Sequence, residues 1–471
     1  MEPASLSVYD AKLLLILVFL LSANITSFQA TTPRGFVTKL IHHDSILSPF
    51  YNASVTVADR ATRARERSDA RLSYLKAATM SKTPDGVRGI MFAGDGVFLV
   101  SMYVGNPPLH QFLLMDTGSS ITWLHCLPCI GCTTTIPIYD QSRSSTYYPL
   151  PCDYDPYCAA NCDTRRNECT FRVVYADGAS SSGNYATENL MFYIENEGQT
   201  FASNIIFGCA RAVNEPYPDI SGIMGLGYGG YGEISLATQV GTKFSYCIGS
   251  IQDPNYAHNR LVVGDGAVLV GRSTPLDLDM GHYFLTLVGI SVGNEQLPIN
   301  PRVFRRRWPG TGGVIIDSGS EWIYLIRDAY VKLRSKVERI IDRYLTRATI
   351  SNHPGWLCYH GSVSRDLDEF PPVTFHFDEA NLELGITSMF QDITSTIFCM
   401  AVDKANGETP NDISVIGMFA QQHHNIGYDI SGQKLYIYRT NCQLVLYNQE
   451  MEASLLELLK LAMRNNEELG E

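Results

Sequence analysis

The chain has 471 residues, a formal net charge of −12 and 45% hydrophobic residues. With only 18% charged residues it is not a disordered chain, and its length suits about three domains with a large core. The acidic balance argues against nucleic acid as a partner, and the 38 Gly and 26 Tyr suit strands joined by turns.

In chain order, Leu13 to Leu21 form an apolar stretch behind Lys12. It has the length of a signal-peptide core and is short for a membrane span, although Glu2 and Asp10 offset the lysine. A cleaved signal over residues 1–30, cut near Ala23 or Ala30, is the expectation; a membrane anchor or a buried helix is the alternative. No other run reaches spanning length, so no membrane contact is expected after cleavage. Residues 31–88 are different in kind. Arg60-Ala61-Thr62-Arg63-Ala64-Arg65-Glu66-Arg67 is basic and rich in helix formers. It reads either as a solvated helix or disordered arm, or as a segment whose cations lie across an acidic cleft. Residues 89–275 show short strands broken by Gly, Asn and Asp turns, the pattern of an all-β lobe. Residues 276–447 repeat that style around one helix, Asp328 to Tyr344, with Tyr330, Leu333, Val337, Ile340 and Ile341 at helical spacing. Residues 448–471 form an acidic tail to which no role attaches. Asn52-Ala53-Ser54 and Asn24-Ile25-Thr26 are acceptor sites for N-glycosylation.

Two turns stand out in the β regions. Phe112-Leu113-Leu114-Met115 leads into Asp116-Thr117-Gly118-Ser119, and Val314-Ile315-Ile316 leads into Asp317-Ser318-Gly319-Ser320. Each apolar run reads as a buried strand that ends in a sharp glycine turn carrying one carboxylate. About 100 residues after each Asp comes a second apolar-Gly segment, Gly222-Ile223-Met224-Gly225 in one case and Val415-Ile416-Gly417 in the other. A single Asp-hydroxyl-Gly is an ordinary turn; two copies with the same sequel indicate an internal duplication. Two carboxylates brought face to face would share one proton. The ionised one could then deprotonate a water while the other donates to a carbonyl. That chemistry hydrolyses peptide bonds with neither a metal nor a cofactor.

Twelve cysteines behind a secretion signal point to disulfides. Cys126-x-x-Cys129-x-x-Cys132 also has metal-ligand spacing, so zinc is the competing reading. Gly225-Leu226-Gly227-Tyr228-Gly229-Gly230 fits a dinucleotide glycine pattern but lacks its strand–helix–strand setting. The pairs His42-His43 and His423-His424 have no further ligands nearby in sequence.

The chain resembles a pepsin-like aspartic endopeptidase, most closely the plant nepenthesin-like subgroup. The residues that carry this are Asp116 to Trp123, Cys126 to Cys132, Tyr175-Ala176-Asp177-Gly178, Phe207-Gly208-Cys209, Gly222 to Gly227, Phe244-Ser245-Tyr246-Cys247 and Asp317 to Ser320, over about residue 90 to Cys442. The resemblance implies an all-β fold of two related lobes with an active-site cleft between them. It implies that Asp116 and Asp317 are catalytic, positioned by Gly118 and Gly319. Ser119 and Ser320 would bond the outer carboxylate oxygens, Tyr175 would sit on a flap over the cleft, and Trp123 would support it. It implies the disulfides Cys126–Cys129, Cys132–Cys209, Cys152–Cys169, Cys158–Cys162, Cys247–Cys442 and Cys358–Cys399. It also makes residues 31–88 a pro-segment, and the protein a secreted monomer, extracellular rather than vacuolar, that binds extended peptide substrates. Two departures stand out. Ala176 replaces the usual Gly of the flap. Glu321 replaces a Thr and should bring a third negative charge near the pair, unless it points to solvent. The competing function is a binding protein on the same fold that has lost catalysis, although Asp116, Asp317, Ser119, Ser320 and Tyr175 are all present.

Overall fold

A computed structural model describes residues 35–80, 97–174, 180–194, 198–214, 220–229, 234–307, 311–351, 353–405 and 412–444. The expected signal peptide, Tyr175 with Ala176 to Gly178, and the acidic tail lie outside the described residues.

The duplication seen in sequence is a duplication of strands. Leu109–Asp116 runs antiparallel to Phe98–Val104 and parallel to Gly222–Gly225, with Gly225 opposite Asp116. Gly222–Gly225 also runs antiparallel to Trp123–Ile130, pairing Ile223 with Trp123. In the second half, Val314–Ile316 runs antiparallel to His282–Leu285 and parallel to Ser414–Ile416. Ser414–Ile416 in turn meets Ile323–Leu325 at Tyr324 and Val415. Val314, Ile315 and Ile316 are all buried, as expected of a strand covered on both faces. Two mostly β lobes result, with one central strand ending on Asp116 and the other running directly into Asp317.

The lobes are joined by pairing rather than by a linker. Lys243–Ile248 from the first half pairs antiparallel with His424–Asp429 from the second, from Lys243–Asp429 to Ile248–His424. The strand Arg272–Asp279 crosses the expected boundary between residues 275 and 276, pairing with Lys434–Arg439 on one side of it and with His282–Leu285 on the other. Strand propensity marks each segment, but long-range pairing of this kind has no local sequence signal.

The N-terminal segment is also built into the sheet. Gly35–His42 pairs antiparallel with Arg260–Gly264 through its first five residues and with Phe98–Val104 through its last three. Its alternate residues Phe36, Thr38, Leu40 and His42 are buried, the period-2 pattern of a half-buried strand. The Phe36 ring stacks on Phe192 at 3.8 Å between centroids. After a turn comes the helix Val57–Met80. It is not a solvated arm, because Ala61, Ala64, Leu72, Tyr74 and Leu75 are buried together with Arg65, Arg67 and Arg71. The helix expected at Asp328 to Tyr344 spans Arg327–Ile341, ends in a turn over the last three expected residues, and buries Tyr330, Leu333, Val337 and Ile341.

The cysteines pair differently from the implied scheme in four of its six bridges. The structure joins Cys126 to Cys209 and Cys129 to Cys132, in place of Cys126–Cys129 and Cys132–Cys209. It joins Cys152 to Cys162 and Cys158 to Cys169, in place of Cys152–Cys169 and Cys158–Cys162. Backbone geometry decides both exchanges. Trp123–Ile130 lies beside Gly198–Asn214 with Leu124 opposite Cys209, which brings Cys126 within 5.4 Å of Cys209 between Cα atoms. The helix Pro156–Ala160 buries Cys158 against Cys169 with Cα atoms 4.7 Å apart. All three cysteines of the candidate zinc spacing are taken up in these bonds. Cys247–Cys442 and Cys358–Cys399 are paired as the resemblance implied.

Candidate active site

Each Asp turn is held from behind by the chain that follows its second apolar segment. In the first lobe, Leu226 N donates to Asp116 O and Gly227 N to Ser119 O, both at 2.8 Å. In the second, Met418 N donates to Ser320 O at 2.7 Å and Phe419 N to Glu321 O at 2.9 Å. Gln421 Nε2 adds a bond to Ile416 O at 2.9 Å. The two turns also grip each other. Thr117 N donates to Ser318 Oγ at 3.0 Å, and Ser318 N donates to Thr117 Oγ1 at 2.9 Å. Sequence reasoning gave these hydroxyls no job; the signal was their repetition at the same place in both copies.

The two carboxylates meet over one cation. Arg71 of the helix Val57–Met80 donates from Nη2 to Asp116 Oδ1 at 2.6 Å and to Asp317 Oδ1 at 2.7 Å. Its Nε reaches Asp317 Oδ2 at 2.9 Å and its Nη1 reaches Asp116 Oδ2 at 3.2 Å. One guanidinium thus engages all four carboxylate oxygens, with Arg71 3% exposed, Asp116 5% and Asp317 fully buried. Burying three charges carries a desolvation cost of several kcal/mol per ion, which only this degree of hydrogen bonding can offset. Burial pushes the Asp116 carboxyl above its ordinary range, against the pull of Arg71, and the neighbouring Asp317 charge adds to the rise. Burial opposes the charge of Arg71 too, but the two carboxylates outweigh it and hold the guanidinium more firmly protonated than usual.

Gly118 and Gly319 provide clearance. Neither has a left-handed φ. A Cβ at Gly118 would come within 2.2 Å of Arg71 Nη2, and one at Gly319 within 2.8 Å of Arg71 Cζ. Side chains there would close the space in which the occupant of the pair sits.

With Arg71 in place, Ser119 and Ser320 bond backbone carbonyls and not the carboxylates. Ser119 Oγ donates to Ile121 O at 3.4 Å and Ser320 Oγ to Trp322 O at 3.3 Å, while Arg71 bonds the carboxylate oxygens. Trp123 is fully buried, and its Nε1 meets no acceptor among the described residues.

Glu321 does not point to solvent. It is 2% exposed and accepts from Arg67 Nη2 at 2.5 Å, with His42 Nε2 4.0 Å away. Its backbone N and that of Trp322 donate to Ser68 Oγ at 3.1 and 3.2 Å. Further along the same helix, Lys76 Nζ lies 2.7 Å from Asp412 Oδ1. The basic helix therefore lies across an acidic surface, where Arg65, Arg67, Arg71 and Lys76 meet carboxylates of the lobes.

Residues 98–265 match the family model described as xylanase inhibitor N-terminal, and residues 282–438 match the one described as xylanase inhibitor C-terminal. The chain is 30% identical to a probable aspartic protease of Arabidopsis thaliana, over 91% of this chain and 98% of that protein. It is 31% identical to aspartic proteinase nepenthesin-1 of Nepenthes gracilis, over 90% of this chain and 96% of that protein. Among solved structures, it is similar to edgp, with a TM-score of 0.60 at 14% identity over 87% of this chain and 96% of that one. It is also similar to basic 7S globulin from soybean, with a TM-score of 0.56 at 14% identity over 73% and 93%. At such identities the two structures speak for the fold alone. With two β lobes, a paired Asp turn in each and this degree of likeness along nearly its whole length, the chain belongs to the plant pepsin-like aspartic proteases of the nepenthesin type.

Proposed function

We propose that the chain is the self-blocked precursor of a secreted aspartic endopeptidase. The observation that carries this reading is Arg71, which fills the space between Asp116 and Asp317 and bonds both. Residues 31–88 act as the pro-segment: the strand Gly35–His42 anchors it in the sheet, and the helix Val57–Met80 lays its cations in the cleft. Once Arg71 leaves, two close carboxylates lose their counter-ion and cannot both stay ionised, so the pair takes up a proton. The ionised Asp then accepts a proton from a water whose oxygen attacks the peptide carbonyl carbon, while the protonated Asp donates to the carbonyl oxygen. Ser119 and Ser320, freed from competition with Arg71, turn to the outer carboxylate oxygens. Tyr175 closes the cleft as a flap supported by Trp123, whose Nε1 meets no acceptor among the described residues.

Secretion is supported by the N-terminal apolar stretch and by six disulfides among the described residues, bonds typical of oxidising compartments. Substrates are peptides bound extended, and the protein acts as a monomer. A second reading, a binding protein without catalysis, is favoured by the xylanase-inhibitor description of both matching family models. One assay separates the two. The full-length protein is brought to acid pH and offered a denatured protein, with and without pepstatin. Pepstatin-sensitive cleavage supports the protease; a folded protein that cleaves nothing after acidification supports the binder.

A further inference from the structure

We infer that Trp322, Tyr324, Trp356 and Asp403 form an arginine-binding subsite of the released protein, which Arg65 of the pro-segment fills in the precursor. The inference rests on the reading of the helix Val57–Met80 as a removable segment.

The guanidinium of Arg65 sits 4.7 Å from the Trp322 ring centroid, 5.3 Å from Tyr324 and 5.9 Å from Trp356. Its Nη2 lies 2.6 Å from Asp403 Oδ2. Three aromatic faces and the Asp403 carboxylate of the second lobe, together with Asp69 of the helix itself, surround a cation that is 5% exposed, an enclosure selective for a flat, weakly hydrated cation. Arginine fits this description better than lysine, whose compact ammonium is more strongly hydrated.

The enclosure belongs to the second lobe and is held by groups other than Arg65. Trp322 and Tyr324 flank Ile323, whose strand runs parallel to Val402–Lys404 with Tyr324 opposite Asp403. Trp356 packs on Trp322 at 5.1 Å and stacks on His353 at 4.1 Å. The pro-segment supplies the cation and one further carboxylate, Asp69, whose Oδ2 accepts from Arg65 Nε at 2.8 Å and whose Oδ1 accepts from Tyr324 Oη at 2.8 Å; both leave with the helix. When the helix leaves, a carboxylate and three aromatic faces remain beside the cleft, and among the described residues Asp403 has no other ion-pair partner.

The position suits a substrate side chain. Arg65 precedes Arg71 by six residues, a rise of about 9 Å along a helix, which an extended peptide covers in roughly three residues. A peptide threaded through the cleft would therefore present an arginine to the enclosure roughly three positions from the bond being cut. The intervening ion pair of Arg67 with Glu321 shows that the surface between the two points is also acidic.

Two measurements test this. In the first, acid-activated full-length protein is given peptide pairs that differ only in arginine or its neutral isostere citrulline, scanned over the positions on both sides of the cleaved bond. The expected result is one position about three residues out at which arginine raises kcat/KM by at least about tenfold, the scale of a desolvated cation–π contact. That ratio should fall toward one in Asp403→Asn and in Trp356→Leu. No preference for arginine over citrulline at any position would overturn the inference. The second measurement does not depend on catalysis. In full-length Arg65→Ala/Asp69→Asn the enclosure is vacated of both charged groups of the helix while Arg71 stays in place, and ethylguanidinium is titrated against ethylurea with tryptophan fluorescence as the readout. Saturable binding of ethylguanidinium alone, lost when Asp403→Asn is added, supports the subsite; equal or absent responses to the two probes overturn it. If no peptide of any sequence is cleaved but ethylguanidinium still binds through Asp403, the proteolytic reading falls and the arginine subsite stands.

Discussion

The two lobes carry the same strand–turn–strand unit, yet they face the basic helix differently. The first lobe offers it Asp116 and the carbonyl of Gly118, to which Tyr74 Oη donates at 3.4 Å. The second offers Asp317, Glu321, Tyr324, Asp403 and Asp412, which receive Arg71, Arg67, Asp69, Arg65 and Lys76 in turn. Aligned from Asp116 and Asp317, Ser120-Ile121-Thr122-Trp123 of the first copy stands where the second has Glu321-Trp322-Ile323-Tyr324. The change gives the second lobe a buried carboxylate, an indole face and a phenol that bonds Asp69 Oδ1 at 2.8 Å. The duplicated halves have thus divided their work. Both supply the pair, while the second also grips whatever occupies the cleft.

The largest effect should be symmetric. Asp116→Asn and Asp317→Asn should each lower the rate of peptide cleavage by ~10²–10⁴ or more, since the proposed mechanism gives each carboxylate its own proton transfer. Circular dichroism and kcat on acid-treated protein check this. Near-normal turnover by either variant would show that the two Asp turns are not equivalent halves of one site.

Release of the helix should be asymmetric and driven by acid. His282 lies on the second lobe, under Arg71 and Tyr74, and burial lowers its pKa from 6.5 to about 4, with the Arg71 charge adding to the effect. His42, on the strand Gly35–His42 beside Glu321, is lowered by burial as well, although Glu321 and Asp44 oppose the shift. A histidine with a depressed pKa in the closed form takes up its proton more readily once uncovered. Between about pH 6.5 and 4 the released form therefore binds more protons, so falling pH favours release. Full-length protein should be silent at neutral pH and gain activity across that window, and His282→Gln should flatten the rise. Arg71→Ala should show activity at pH 7 with no acid step. A precursor equally active at pH 7 and pH 4 would show that the helix does not block the site.

Glu321→Thr makes the second lobe resemble its relatives and removes the partner of a buried arginine. Breaking one side of a buried pair costs about 3–5 kcal/mol when the remaining charge stays buried. The pro-segment should therefore let go at higher pH, and the activation midpoint read from a pH series should move upward. Ser120, the corresponding residue in the first lobe, makes no ion pair with the helix, and Ser120→Ala should leave the midpoint where it is. Equal shifts from both would mean that the helix is not held mainly by the second lobe.

The two Asp turns and their sequels were legible because the chain states them twice, each behind a run of buried apolar residues. The helix Arg327–Ile341 was legible from the spacing of Tyr330, Leu333, Val337 and Ile341. The sheet between the lobes was not, since nothing near Lys243 announces a partner at Asp429. The cysteine pairing was also hidden. Cys126, Cys129 and Cys132 are equally spaced in sequence, and only the neighbouring strand that carries Cys209 distinguishes Cys126 from Cys132. Glu321 was visible as a departure, but its direction depends on Arg67, 254 residues away in sequence. Ser119 and Ser320 were read for a released site, whereas the structure holds them with Arg71 in place.

The smallest effect tests how tightly the halves are yoked. Thr117 and Ser318 exchange backbone-to-hydroxyl bonds across the twofold relation of the two turns, both fully within the protein. Thr117→Ala leaves Ser318 N without its acceptor, and Ser318→Ala does the same to Thr117 N. A buried amide deprived of its partner costs about 1–3 kcal/mol. The two variants should therefore lose similar stability in urea, read as a lower midpoint with an unchanged slope. The double variant should lose less than the sum, because the first loss already loosens the contact the second would remove. The distance between Asp116 and Asp317 is set by these bonds once Arg71 is gone, so both single variants should also lower kcat more than they raise KM. Additive losses, or a loss confined to one variant, would mean that each turn is held by its own lobe. The bonds from Leu226 and Gly227 in the first half and from Met418 and Phe419 in the second would then set the site by themselves.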